Sequence, residues 1–412
     1  MSEWESFRIK DFGKVVTGKT PPTVDKEFYN KGYKFVTPTD LDFNSYYIRH
    51  TQREVSEKAR NRYPNYFLPP DSVSYTCIGA TIGKSCLNRE YVLTNQQINS
   101  IIPNKSSNAR FIYYYLNAIT PSIVAVAGGA ATPIVNKSSF ESIKINVPPL
   151  PTQQKIAKIL SNYDDLIENN LKRIKLLEES ARLTYEEWFL RFRIDGKKLD
   201  IDPESGLPFG WLNKSFGDVF NINNGYAFKS GDYAEHGVPI LRTRDYSQTK
   251  WIKIDQPIYI SEELSQKYTK YYVQEYDLML IMVGASIGNY GVVLPNDTGL
   301  LQNQNQWAIR VNNGFEKYIF YKLLMMEDLI KNLLTKKTGA ARDFFRASFL
   351  KELDILLPDE DTVTLLNKTV QPTFEEINNL QHQNQLLKEA RDILLPRLMT
   401  GMIDTDELDI AI

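Results

Sequence analysis

One pentapeptide occurs twice in this chain, and its surroundings recur with it. Gly79-Ala80-Thr81-Ile82-Gly83 returns as Gly284-Ala285-Ser286-Ile287-Gly288, 205 residues later. Phe12-Gly13 is matched by Phe216-Gly217, and Asn95-Gln96-Gln97-Ile98-Asn99 by Asn303-Gln304-Asn305-Gln306-Trp307. Gly129-Ala130-Ala131 is matched by Gly339-Ala340-Ala341, and a long helix-like segment follows each copy. A repeat of this period has to be read before local structure, because it predicts one architecture built twice.

Within each copy the local signals are mixed. Tyr33–Val36, Ser72–Tyr75, Leu278–Val283 and Tyr290–Leu294 are short apolar runs rich in β-branched and aromatic residues, bounded by turn formers, and they predict strands. A helix near Arg110–Ile119 is matched by one at Lys317–Met326. Each module is therefore α+β, a mixed α/β unit.

After Pro148-Pro149-Leu150-Pro151 the period changes. Ile156, Leu160, Tyr163, Ile167, Asn170, Ile174, Leu177 and Ala181 follow one another in steps of three and four, with Asn170 the polar member of an apolar seam. At an offset of 210, Leu366, Val370, Ile377, Leu380, Leu387 and Leu394 repeat the pattern, interrupted by Thr373, Asn384 and Arg391. Such helices pack on their own modules, on each other or on another protein; an aligned seam in two copies favours pairing. Arg193–Gly210 is turn-rich linker. The boundaries that result are 1–150, 151–192, 193–357 and 358–412.

Charge is uneven. Residues 1–150 hold 18 Lys/Arg against 12 Asp/Glu, whereas 358–412 hold 4 against 11. The first module permits a nucleic-acid partner, and the acidic C-terminus argues against DNA contact there. Cys77 and Cys86 have no counterparts in the second copy, so reduced thiols are expected. No signal segment or membrane-spanning run is visible, and the expected compartment is the cytoplasm.

Chemistry is not found. Gly79–Ser85 lacks one residue of a phosphate-binding loop, and Lys84-Ser85 becomes Asn289-Tyr290 in the second copy. A tight turn with glycines at positive φ is the alternative. Asn146-Val147-Pro148-Pro149 departs from the methyltransferase motif. His50, His236 and His382 are scattered, and no triad recurs, so neither catalytic nor metal-binding residues are assigned. What recurs suits base and phosphate contacts. The Asn/Gln clusters, with Gln96, Gln97, Gln302 and Gln304, are able to read adenine edges or to hold a turn. Lys19, Thr20, Lys84, Lys229, Arg242, Arg244, Arg342 and Arg346 lie in or near predicted turns, where they meet phosphate or guanine, or solvent alone.

Taken in order, these motifs resemble the specificity (S) subunit of Type I restriction–modification systems. The resemblance rests on Thr17-Gly18-Lys19-Thr20-Pro21, Ile78–Lys84, Asn95–Ile98, Val147–Ile156, Val283–Gly288, Gln302–Gln304 and Leu394–Gly401. It implies two target recognition domains with a pseudo-twofold relation, each reading one half of an asymmetric bipartite site in double-stranded DNA. It implies that the two long helices form an antiparallel coiled coil, separate the domains and dock methyltransferase (M) subunits, two in number. Restriction (R) subunits then join through the M complex. S-adenosylmethionine belongs to the M subunits, ATP and Mg to the R subunit, and this chain binds no cofactor and catalyses nothing. The alternatives are a scaffold that pairs protein partners through its coiled coil, and a fused restriction–methylation enzyme with unrecognised motifs. One departure stands out: Pro148-Pro149-Leu150-Pro151-Thr152-Gln153-Gln154 of the first junction becomes Pro358-Asp359-Glu360-Asp361-Thr362-Val363-Thr364 in the second, which has lost the Gln pair and become acidic, and this puts partner contacts there in question.

Overall fold

A computed structural model describes residues 4–43, 45–127, 133–246, 250–252, 254, 256–335 and 344–405. The chain divides into two compact units, residues 1–169 with 384–412, and residues 170–383. Each unit thus holds one module and parts of both long helices, so the units cut across the boundaries expected from sequence.

In the first unit a four-stranded antiparallel sheet has the order Gly13–Thr17, Ile98–Pro103, Val73–Thr76, Ser85–Leu87. A second sheet runs Arg53–Val55, Tyr33–Val36, Val92–Thr94, Phe67–Leu68, with its central pair parallel. Glu5–Arg8 pairs with Lys144–Val147 and closes the module by joining its two ends. The helix Ala109–Ala118 buries Phe111 to Leu116 against the first sheet and shares a core with Val73, Tyr75 and Ile101.

The second unit repeats this plan. Its antiparallel sheet has the order Phe220–Asn224, Gln306–Val311, Leu278–Ile281, Tyr290–Val292. Val238–Leu241 and Leu301–Gln302 form the parallel pair, and Leu212–Ser215 with Asp354–Leu357 close the module. Its helix, Ile319–Leu334, is longer than the predicted segment.

The heptad segments are helices over Leu150–Tyr185 and Glu360–Met399. A five-residue π turn, Glu186–Leu190, extends the first. Within the first unit, Ile156 and Leu160 share a core with Leu394, Leu395 and Leu398. Asp164 meets Arg391 at 2.6 Å, and Lys155 Nζ donates to the Thr405 carbonyl at 3.2 Å. Within the second, Ile174 and Leu177 pack with Leu366, Val370, Ile377 and Leu380, and Arg173 pairs with Glu376 at 2.5 Å. In both units the partner number falls as the residue number rises, so the pairing is antiparallel. The seam departs from expectation at the same place in each helix: Tyr163 is half-buried while the adjacent Asp164 is buried. Thr373 is only half-buried and the adjacent Phe374 takes the core position, packing on Phe320 at 5.2 Å. Tyr163, Leu177, Leu387 and Leu394 are half-buried at the seam margin, whereas Asn170 and Asn384 lie within it.

Candidate nucleic-acid interface

The repeated pentapeptide connects two antiparallel strands in each unit. Gly79, Gly83, Gly284 and Gly288 all have positive φ, the region that L side chains avoid. Gly83 and Gly288 donate back to Thr76 and Ile281 at 3.3 and 3.0 Å. A Cβ on Gly83 would lie 2.6 Å from Thr120 Cγ2, and one on Gly288 2.7 Å from Leu334 Cδ2. These loops are tight turns packed on a helix, and their amides from Ile82 to Lys84 and from Ile287 to Asn289 are bonded within the turn rather than offered to a phosphate. Lys84, the residue that suggested one, donates to the Pro38 carbonyl at 3.1 Å and lies 5.9 Å from the Phe43 ring.

The Asn/Gln turns meet a second loop, again twice. Gly18 and Lys19 donate to the carbonyls of Ile98 and Thr94 at 3.1 and 2.8 Å, and Thr20 Oγ1 donates to Gln96 Oε1 at 2.5 Å. Asn95 holds its own turn, accepting from Gln97 N and donating to Gln97 Oε1, both at 3.1 Å. In the second unit Tyr226 donates to the Gln302 carbonyl at 3.0 Å and Gln304 N returns a bond to the Tyr226 carbonyl at 2.9 Å. The loops touch so closely that only glycine fits: a Cβ would stand 2.1 Å from Asn95 O at Gly18 and 1.9 Å from Asn303 O at Gly225. Lys19 and Gln96 on one loop pair, and Gln304 on the other, are exposed; Thr20 and Gln97 are half-buried.

A third loop keeps its frame and changes its face. Asp40 accepts from Thr37 N at 2.8 Å, and Asp245, at the same offset as the pentapeptide, accepts from Arg242 N at 2.8 Å. Burial raises the Asp245 carboxyl above the usual range, opposed by the Arg242 amide and guanidinium. The outward position of this loop is Thr39 in one unit and Arg244 in the other, both exposed.

Two candidates are not available to a base. Gln302 is buried and donates to the carbonyls of Asn223 and Gln306, both at 3.0 Å. Arg242 turns back on Asp245 at 3.3 Å and on the Gln256 carbonyl at 2.5 Å. Both hold loops in place, because a buried polar group has to be satisfied internally. Arg244 is exposed and shares the Gln256 carbonyl at 3.1 Å. Lys229 and Arg346 are also exposed, the latter 5.8 Å from the rings of Phe344 and Phe349. Arg342 and both Gly-Ala-Ala segments lie outside the described residues.

Sequence reading passed over a cationic–aromatic surface in the first module. Arg53 lies 5.6 Å from the rings of Tyr29 and Phe35, and Arg60 lies 4.9 and 4.5 Å from those of Tyr33 and Tyr91. The signal was present as four basic residues within Arg53–Arg62. Its counterpart in the second module is aromatic: Tyr226, Phe228, Tyr268 and Tyr271 cluster beside the Gly225 loop, with Lys270 over Tyr271 at 4.8 Å.

Nucleophiles are poorly placed for reaction. Burial pushes the Cys77 thiol up to about 11 and that of Cys86 to about 12, so both are protonated near neutrality. Among the described residues no group of acidic, His and Cys side chains is arranged to hold a metal ion. Among them too, no helix is long and apolar enough to cross a membrane.

Two copies of one module, each offering a rigid frame with a different exposed face, define a bipartite recognition protein. Comparison with known proteins gives that class its family. The model of the Type I restriction modification DNA specificity domain matches residues 1–179 and again residues 208–388, so the chain belongs to this family and carries its domain twice. The MjaIX specificity subunit of Methanocaldococcus jannaschii is 27% identical over 419 residues, covering 98% of this chain and 95% of that protein. The HindI specificity subunit of Haemophilus influenzae is 32% identical over 181 residues, 42% of this chain and 39% of its own. The fold resembles the crystal structure of the S subunit from M. genitalium, with a TM-score of 0.54 at 15% identity and 96% coverage of each chain.

Proposed function

We propose that this chain is the non-catalytic specificity subunit of a Type I restriction–modification complex, each module reading one half of an asymmetric bipartite DNA site. The observation that carries this reading is the pairing of identical frames with different faces. Asp40 and Asp245 build the same turn but present Thr39 and Arg244. A cation aimed at guanine or phosphate and a hydroxyl make different demands on a sequence.

The helices support docking of two methyltransferase subunits. Leu176 and Leu183 are 70% and 46% exposed, and their repeat equivalents Leu386 and Ile393 are 51% and 57% exposed. Apolar side chains left in solvent one heptad apart, at matching places in each unit, suit two copies of one partner. S-adenosylmethionine then sits on the methyltransferase subunits, and ATP and Mg on restriction subunits that join through them.

The test is reconstitution. This chain mixed with its methyltransferase partner should methylate one asymmetric two-part sequence, and neither alone should do so. Replacing residues 1–150 with those of a relative should change one half of that sequence only. Methyl transfer by the isolated chain, or a change in both halves, would overturn the assignment.

A further inference from the structure

The two ends of the helix pair are built from one repeat but are not held in the same way. In the first unit Asp164 is buried at the seam, where it accepts from Arg391 Nη1 at 2.6 Å and from the Tyr114 hydroxyl. Arg391 is equally buried and reaches Asp392 at 2.8 Å as well. The repeat offset of 210 assigns Phe374 to the place of Asp164 and Ala181 to that of Arg391. Both are buried in the second unit, and Phe374 packs on Phe320, the counterpart of Tyr113. Two charged residues at one end of the repeat are two buried apolar residues at the other.

The consequence concerns which helix each helix accepts. An antiparallel seam with matching ends would be self-complementary, so the first helix would suit a second copy of itself as well as it suits the Glu360–Met399 helix. With these residues it does not. A first helix paired with another first helix in the same register sets the Asp164 carboxylate against Ala181. Two second helices set the Arg391 guanidinium against Phe374. The first arrangement buries an unpaired carboxylate twice, and the second leaves each buried Arg391 with only the exposed Asp392 of its own helix, whereas pairing first with second gives Asp164 and Arg391 a buried partner each. Removing one partner from a buried pair is among the costlier changes a core can suffer, on the order of 10²-fold or more in an equilibrium constant. We propose that Asp164 and Arg391, with Tyr114, make the helices complementary only to each other, so that the first half of the chain selects the second half and rejects another copy of itself. The selection is independent of what the modules bind.

The test uses the complete chain, nicked after folding. A protease site placed between Gly196 and Gly206, where added side chains meet open space, releases the two halves from their covalent link without removing either. Differently tagged nicked proteins are mixed and the paired species identified by native mass spectrometry. The wild type is expected to give only pairs of a first half with a second half. The symmetrised variant Asp164→Phe with Arg391→Ala is expected to add pairs of like halves. In the uncut chain, Asp164→Ala or Arg391→Ala alone should lower the unfolding midpoint. The exchanged pair Asp164→Arg with Arg391→Asp should recover most of the loss and keep strict pairing of unlike halves. Like pairs from the wild type at the statistical proportion would overturn the proposal. So would strict unlike pairing in the symmetrised variant, which would place the selection in other seam residues.

Discussion

The glycine contacts at the twin loops make a prediction whose size follows from geometry. Replacing Gly18 with Ala puts a methyl carbon 2.1 Å from Asn95 O and 2.3 Å from Thr94 O, both backbone atoms. Neither oxygen is able to swing aside as a side-chain tip would, so the loops must separate by more than 1 Å to restore ordinary contact. That separation breaks the bonds from Gly18 N and Lys19 N, which are 3.1 and 2.8 Å long. Two backbone bonds at about 1 kcal/mol each, with residual strain, give a loss of roughly 2–4 kcal/mol. Gly231→Ala is the control, because nothing lies within 4 Å of its added Cβ and its backbone needs no positive φ; its effect should stay within about 0.5 kcal/mol. Denaturant melts of both variants measure the difference. Methylation in the presence of the partner subunit measures the second consequence: Gly18→Ala moves Lys19, Thr20 and Gln96 and should relax discrimination in one half-site alone. Gly225→Ala should relax the other. A Gly18→Ala variant with wild-type stability and wild-type discrimination would refute the argument that these loops are welded together to present a face.

Three further outcomes follow from particular residues. Lys322 is buried, its ammonium donating to the carbonyls of Tyr276 and Ile309 at 2.8 and 3.0 Å, and desolvation lowers it to about 8. Between that value and the unfolded value near 10.5 the unfolded chain holds the extra proton. Stability therefore rises with pH in this window, by about 3 kcal/mol relative to Lys322→Met, and the two should run parallel below pH 8 in melts taken at successive pH values. Pro372 lies inside the Glu360–Met399 helix, where it lacks a donor for the preceding turn, so Pro372→Ala should stabilise by roughly 1–3 kcal/mol, read from the unfolding midpoint. Leu176→Glu and Leu386→Glu should leave that midpoint unchanged, being exposed, while each removes one methyltransferase subunit from the complex weighed by light scattering; retention of both would show that these stripes are not the docking surface.

The repeat, strands such as Tyr33–Val36 and Leu278–Ile281 and the helical seams were legible because each is a pattern of residue types, and burial follows pattern; the order of the strands in their sheets was not. Direction within a loop was not. Gln302 and Gln304 stand two apart in one polar run, yet the first belongs to the strand Leu301–Gln302 and is turned into the core, while the second sits past the turn in solvent. Arg242 looked like Arg244, and only the spacing to Asp245, shared by Thr37 and Asp40, marked it as part of a capped turn. One residue of the acidic second junction is explained in the same way. Asp359 accepts from Thr362 N at 2.9 Å and from the Trp211 indole at 2.7 Å, capping the helix that follows. Gln153 of the first junction is buried and accepts from Asn108 N at 3.1 Å. Both junctions thus spend one polar side chain inside their own units, while Glu360 and Asp361 of the second remain exposed.

These cases share a physical cause. A polar residue in a duplicated loop has two uses, to hold the backbone or to face a ligand, and its chemistry is the same in both. What separates them is whether the neighbouring copy needs it. The Asp40 and Asp245 carboxylates and the Gly18 and Gly225 contacts occur in both modules because the backbone cannot take that path without them. Thr39 and Arg244 differ, and both are exposed on turns that the Asp40 and Asp245 carboxylates already hold. Such positions are free to follow a DNA sequence, and a specificity subunit needs that freedom if a new target is to be acquired without rebuilding the fold. The helix seam carries the same logic one level up. Its leucines and isoleucines recur because any antiparallel pair needs them, and Asp164 and Arg391 do not recur because their difference tells one end from the other.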